Sequence, residues 1–161
     1  MIPTIKTIPE RILIGKSLTM SLTANRTGEL WRGFMARRNE IKNIVGTDLY
    51  SLQLYSPHYF EAFEPGATSV KWAAVEVSDI NEVPENMETI TVPGGTYAVF
   101  NYRGPASAGA QVFQYIFGTW LPASGYTLDN RPHFEILGEK YEHDSPESEE
   151  EIWIPIVQKI E

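Results

Sequence analysis

The order of predicted elements repeats along the chain. A β-α-β-β series occupies the first half and returns in the second, so the fold must join two similar units that bury apolar faces together. In the first unit, residues 12–22 read as a strand, because Ile12, Ile14, Met20 and Leu22 alternate with polar residues. Asn25-Arg26-Thr27-Gly28 breaks that alternation, with Asn25 or Thr27 as the cap of a following helix. Leu30, Phe34 and Ile41, with Trp31 and Met35 between them, predict that helix over residues 29–41. Strands over 48–55 and 70–77 complete the unit, separated by a loop over 56–68 punctuated by Pro57, Pro65 and Gly66. Residues 79–93 are polar, carry Pro84 and Pro93, and read as the link between units. The second unit then offers a strand over 96–102, a helix over 107–121 and strands over 133–137 and 150–158. Val112, Phe113, Ile116, Phe117 and Trp120 form the apolar side of its helix. Lys71–Val75 lies opposite Ile152–Ile156 in the repeat, and Leu52–Tyr55 opposite Phe134–Leu137. The expectation is one domain over 1–161, with repeats of about 1–80 and 88–161.

Strand parity carries this to a face-by-face expectation. The fold class is α+β: a duplicated, pseudo-twofold antiparallel sheet with two helices on one face and a ligand cleft on the other. Ala73, Val75, Ile152, Ile154 and Ile156 go under the helices. Trp72, Ala74, Glu76, Glu151, Trp153 and Pro155 then take the open face. If Phe134 and Ile136 also belong under the helices, Glu135 joins Trp72 and Trp153 in the cleft, and a slip of one residue reverses that placement. The matching positions of Trp72 and Trp153 in the two units favour a shared cleft wall. Glu151, at the end of the acidic run 147–151, Tyr55 and Tyr97 are further candidates for that wall, whereas Phe100 suits the core.

Composition removes several classes of function. With 42% hydrophobic and 21% charged residues the chain can build a real core, and seven Phe, eight Tyr and four Trp are more aromatics than a minimal core needs. A net charge of −8 disfavours direct binding of nucleic acid, and the local cluster of Arg26, Arg32, Arg37 and Arg38 reads as a solvated helix face. The absence of cysteine excludes disulfides, thiolate zinc sites and a cysteine nucleophile, and fits a cytoplasmic location. The first 22 residues form neither a signal peptide nor a membrane span, so no membrane association is expected. His58, His133 and His143 lack metal-ligand spacing, and the Gly94-Gly95 and Gly104-Pro105 pairs are turn chemistry, so no metal and no cofactor are expected. Exposed sheet edges leave both a monomer and a homodimer open.

Three segments carry a resemblance. Thr96-Tyr97-Ala98-Val99-Phe100-Asn101-Tyr102-Arg103-Gly104, Arg131-Pro132-His133-Phe134-Glu135 and Glu149-Glu150-Glu151-Ile152-Trp153-Ile154-Pro155-Ile156 resemble, in order and spacing, three strands of the GyrI-like small-molecule-binding domains. That domain is the effector-binding part of many AraC-type and MerR-type transcription regulators. The resemblance implies a pocket between the two halves for hydrophobic, often cationic aromatic compounds. Glu135 takes the place of the family's electrostatic anchor. Leu137 departs from the pattern, standing where the family carries a tyrosine, so ligand preference does not transfer. It also implies a free-standing effector-binding domain, since the chain has no residues left for a DNA-binding helix-turn-helix, with a regulator or DNA gyrase as possible partner. Two other activities stay open at this point. One is hydrolysis of strained cyclopropane-bearing genotoxins with Glu135 as general base, and the other is inhibition of gyrase.

Overall fold

The computed structural model describes residues 1–62 and 64–160, so Phe63 in the loop expected over 56–68 and Glu161 at the chain end lie outside the described residues. The first unit contains β1 (Thr4–Ile8), β2 (Arg11–Met20), α1 (Thr27–Arg37), β3 (Leu49–Leu54) and β4 (Ser69–Glu76). The second contains β5 (Glu88–Val92), β6 (Gly95–Arg103), α2 (Gly109–Tyr115), β7 (Tyr126–Leu128), β8 (His133–Leu137) and β9 (Glu149–Gln158). A π-helical stretch, Ile116–Trp120, prolongs α2 and leads into the short α3 (Leu121–Ala123). Every strand pairing is antiparallel, in the order β1-β6-β9-β8-β3-β4-β2-β5, with β7 beside the end of β9. The two halves of that order mirror each other about the β8–β3 pair, as a duplicated β-α-β-β unit requires.

The links between strands explain the sheet's shape. β1 and β2 are separated by Pro9-Glu10 alone, yet they stand near opposite ends of the strand order. β5 and β6 repeat the arrangement across Pro93-Gly94. The pairs Ile8↔Gly95 and Arg11↔Val92 keep one register across both links. Residues 4–15 and 88–99 therefore form one long ribbon that brings the sheet's two ends together, and the sheet curls into a half-barrel. Proline suits each link, because it needs no ladder hydrogen bond there. Close approach also fixes Gly15: a Cβ at that position would lie 2.1 Å from the carbonyl oxygen of Ala73 on the neighbouring strand.

The curl buries the face without helices against itself. Leu13, Leu52, Trp72, Tyr97, Phe134 and Trp153 are among the buried residues that fill its inside. Phe134 stacks on Trp153 with centroids 5.2 Å apart, and Tyr97 meets both rings edge-on. On the outer face, α1 seals Leu30 and Phe34 against Ile14, Ala73 and Val75, while the α2 rod seals Ile116 against Phe100, Ile152, Ile154 and Ile156. Ala73, Val75, Ile152, Ile154 and Ile156 lie under the helices as expected, whereas Phe134 and Ile136 do not.

Four elements differ from expectation. β1 and β5 edge the sheet; their side chains are mostly exposed, so no apolar alternation marks them, and β5 lies in the segment 79–93 expected as a link. β7 lies where only a turn is expected. α1 stops at Arg37, and after a 3₁₀ turn over Arg38–Glu40, Ile41 leaves in an extended conformation to be buried beside the helix. The arginine cluster is a solvated face as expected, with Arg26 bonded to Glu29 at 2.8 Å and Arg37 to Glu40 at 2.7 Å.

Candidate ligand-binding site

Each helix covers its own flank of the outer face, α1 over β2 and β4 and the α2 rod over β6 and β9. The central strands β3 and β8 are left as a strip between them. There a cavity of about 640 Å³ opens, within the size range of small-molecule sites. Leu49, Ser51 and Gln53 of β3, Glu135 and Leu137 of β8, Lys71 of β4 and Glu150 of β9 are on its sheet side. Leu30, Trp31 and Met35 of α1 and Ala110 and Phe113 of α2 supply apolar walls, and Tyr141 and His143 reach in from the loop after β8. The cavity thus opens on the helix-bearing face, between the helices, and not on the bare face where the cleft was expected.

The reason is the parity of β8. Phe134 and Ile136 pack inside the curl with Trp72 and Trp153, so Glu135, His133 and Leu137 point to the opposite side. The expected convergence of Glu135 with Trp72 and Trp153 therefore does not occur. Trp72 and Trp153 are 7% and 3% exposed and belong to the inner core. Trp153 donates its indole N–H to Glu151 at 3.1 Å, with the Arg11 guanidinium 5.2 Å from its ring centroid. Glu151 lines a separate, polar hollow of about 480 Å³ at the rim of the bare face, with Lys6, Asn101 and Glu149 among its neighbours. Tyr97 is fully buried, donates its hydroxyl to the Pro93 carbonyl at 2.8 Å, and lies under the Arg131 guanidinium. Tyr55 sits just beyond β3 in a cluster with Tyr59, Phe60 and His133, close enough to Glu135 for that charge to help raise its pKa after burial and Tyr59. Of the candidates read from sequence, Glu135 and Leu137 line the cavity.

Glu135 is the most perturbed acid of the site. Protein surrounds its carboxyl although the cavity mouth keeps the residue partly accessible. Burial first, then the charge of Glu150 and a hydrogen bond with it, push Glu135 up to about 8, with Lys71 opposing. Burial also raises Glu150. It lowers Lys71, although Glu135 works in the other direction. Tyr141 is raised by burial, then by Glu150 and Glu135. His133, buried under the aromatic cluster, falls to about 4 and stays neutral at physiological pH. Glu150 and Lys71 were missed as site residues, yet parity marks both. Glu150 falls on the face of Ile152 and Ile154, and Lys71 on that of Ala73 and Val75. Among the described residues no cluster of His, Cys, Asp and Glu is placed to hold a metal ion, and no helix is long and apolar enough to cross a membrane.

A curled antiparallel sheet with two helices framing a cavity defines a small-molecule-binding domain. The chain belongs to the GyrI-like family: the model of the GyrI-like small molecule binding domain matches residues 1–157. No curated protein matches it significantly. Among solved structures, SAV2435 bound to tetraphenylphosphonium is similar at 18% identity and a TM-score of 0.70, over 98% of this chain and 94% of that one. The EcmrR C-terminal domain is similar at 18% identity and a TM-score of 0.73, over 97% of each chain. EcmrR in its DNA complex is similar at 21% identity and a TM-score of 0.70, over 98% of this chain and 57% of that one.

Proposed function

We propose that the domain binds bulky hydrophobic cations in the cavity between α1 and α2, with Glu135 as the charged contact, and serves as an effector-binding module of the kind found in MerR-type regulators. The observation that carries this is a carboxyl set among apolar and aromatic walls: Glu135 stands across from Trp31, Met35 and Phe113. An acid in such a place is costly to ionise when the cavity is empty, and an incoming cation supplies the missing counter-charge. Aromatic faces add cation–π attraction of about 0.5–2 kcal/mol, and the apolar area covered by the ligand adds about 25 cal/mol per Å² before association costs. The tetraphenylphosphonium bound by SAV2435 supports this choice of ligand class. At an effective dielectric of about 20, a charge about 5 Å from a carboxylate is worth roughly 3 kcal/mol. Replacing Glu135 by Gln leaves Glu150 in the cavity, so the expected loss is smaller, about 10- to 100-fold in tetraphenylphosphonium affinity. Fluorescence or calorimetric titration measures it, and an unchanged dissociation constant removes Glu135 from the role.

A further inference from the structure

Resting on the cation-binding reading, we infer that the cavity is an exchange site in which an entering cation displaces a proton held between Glu135 and Glu150, so that Glu150 is a second determinant of ligand charge. The geometry comes from the β8–β9 pairing. Glu135 lies opposite Ile152, and Glu150 is the next residue of β9 on the same face, a diagonal spacing that long side chains bridge. Both side chains line the same cavity, so the two carboxyls share one poorly solvated space. Two carboxylates confined together disfavour double ionisation, because each has acceptors only and each repels the other, and one shared proton removes both costs.

Every charged or titratable neighbour fits the same accounting. β4 contributes Lys71, the residue after β3 is Tyr55, β8 contributes the neutral His133, and the following loop contributes Tyr141 and His143. The cavity walls formed by α1 and α2 carry no charged side chain. With one proton on the pair, its single negative charge is balanced by Lys71. A monovalent cation unbalances this poorly solvated space by one positive charge, and release of the shared proton restores it. A neutral ligand of the same shape enters without moving a proton. The raised pKa of Glu135 agrees with a proton retained in the empty site near neutral pH.

Calorimetric titration of the whole chain with tetraphenylphosphonium near pH 7, repeated in buffers of different ionisation enthalpy, counts the protons. The expected result is release of about 0.9 proton per cation and of none for neutral triphenylphosphine oxide. Cation affinity should rise up to about tenfold per pH unit between about pH 6 and 8, then level off. In Glu150→Gln the release near pH 7 should be smaller than in wild type while cation binding persists, because Glu135 loses the like charge that helps it keep its proton. A cation that binds wild-type protein with no proton release and no pH dependence overturns the exchange and leaves the cation site standing. Failure of the cation to bind anywhere between about pH 6 and 9 overturns both.

Discussion

Glu135 imposes a pH dependence on folding whose sign is opposite to that of an ordinary ion-paired carboxylate. Its pKa is about 8 in the folded protein against a reference of 4.5. Between those values the folded protein keeps a proton that the unfolded chain has released, so stability falls as pH rises through the window. His133 works the other way. Its pKa is about 4 in the folded protein against 6.5, so the unfolded chain takes up a proton that the folded protein refuses, and stability rises with pH across that range. Each slope is about 1.4 kcal/mol per pH unit, and the two cancel between roughly pH 4.5 and 6.5. Above pH 6.5 or so Glu135 acts without that opposition and removes about 1.5 kcal/mol by pH 8, where it is half ionised. Glu150, also raised, adds in the same direction. For a chain of this length 1.5 kcal/mol corresponds to about 3–6 °C in melting temperature. Thermal melts followed by circular dichroism at about pH 5, 6.5, 7.2 and 8 should show the wild-type midpoint falling by that amount over the last three points. In Glu135→Gln the midpoint should fall less over the same points, so the margin of the variant over wild type grows with pH. Comparing the two proteins at each pH cancels the titrating groups that Glu135 does not perturb. A wild-type midpoint that is flat or rising from pH 6.5 to 8, or a variant that runs parallel to it, refutes the assignment of a retained proton to Glu135.

Three further perturbations separate cavity from core. Trp153→Phe removes the indole bond to Glu151 and part of a buried ring, and should cost about 1–2 kcal/mol in urea denaturation while leaving tetraphenylphosphonium affinity within about twofold. A large affinity loss without loss of stability would restore the bare face as the site. Trp31→Ala strips a half-buried wall of the cavity, so cationic and neutral aromatic ligands alike should bind about 5- to 30-fold more weakly in titrations. Gly15→Ala places a Cβ 2.1 Å from the Ala73 carbonyl oxygen, backbone that a rotamer change cannot clear. Its expected cost is about 3 kcal/mol or more by chemical denaturation, and a neutral result would mean that β2 and β4 are more widely spaced.

Strand alternation carried most of the architecture because Ala73 and Val75 of β4 and Ile152, Ile154 and Ile156 of β9 are apolar at every second position, and so reveal their side without knowledge of the partner. It failed on β8 for a physical reason. Phe134 and Ile136 are as apolar as a helix-facing pair, and what decides their side is the curl of the sheet, which gives the bare face a core of its own. That curl depends on β1 and β5, edge strands whose exposed side chains leave almost no trace in the sequence. Once Ser51 is known to lie opposite Glu135, and Glu135 opposite Ile152, the placement of the carboxyl follows without further information. A sheet that buries apolar side chains on both faces has little room left for ionisable ones. On the outer face the helices occupy the flanks, so the strip over β3 and β8 near the pseudo-twofold axis is the place where an acid, a lysine and a ligand can meet. Glu135 lies on that strip as a member of β8, Lys71 and Glu150 border it from the next strand on either side, and the two indoles that matched so well between repeats serve the inner core instead.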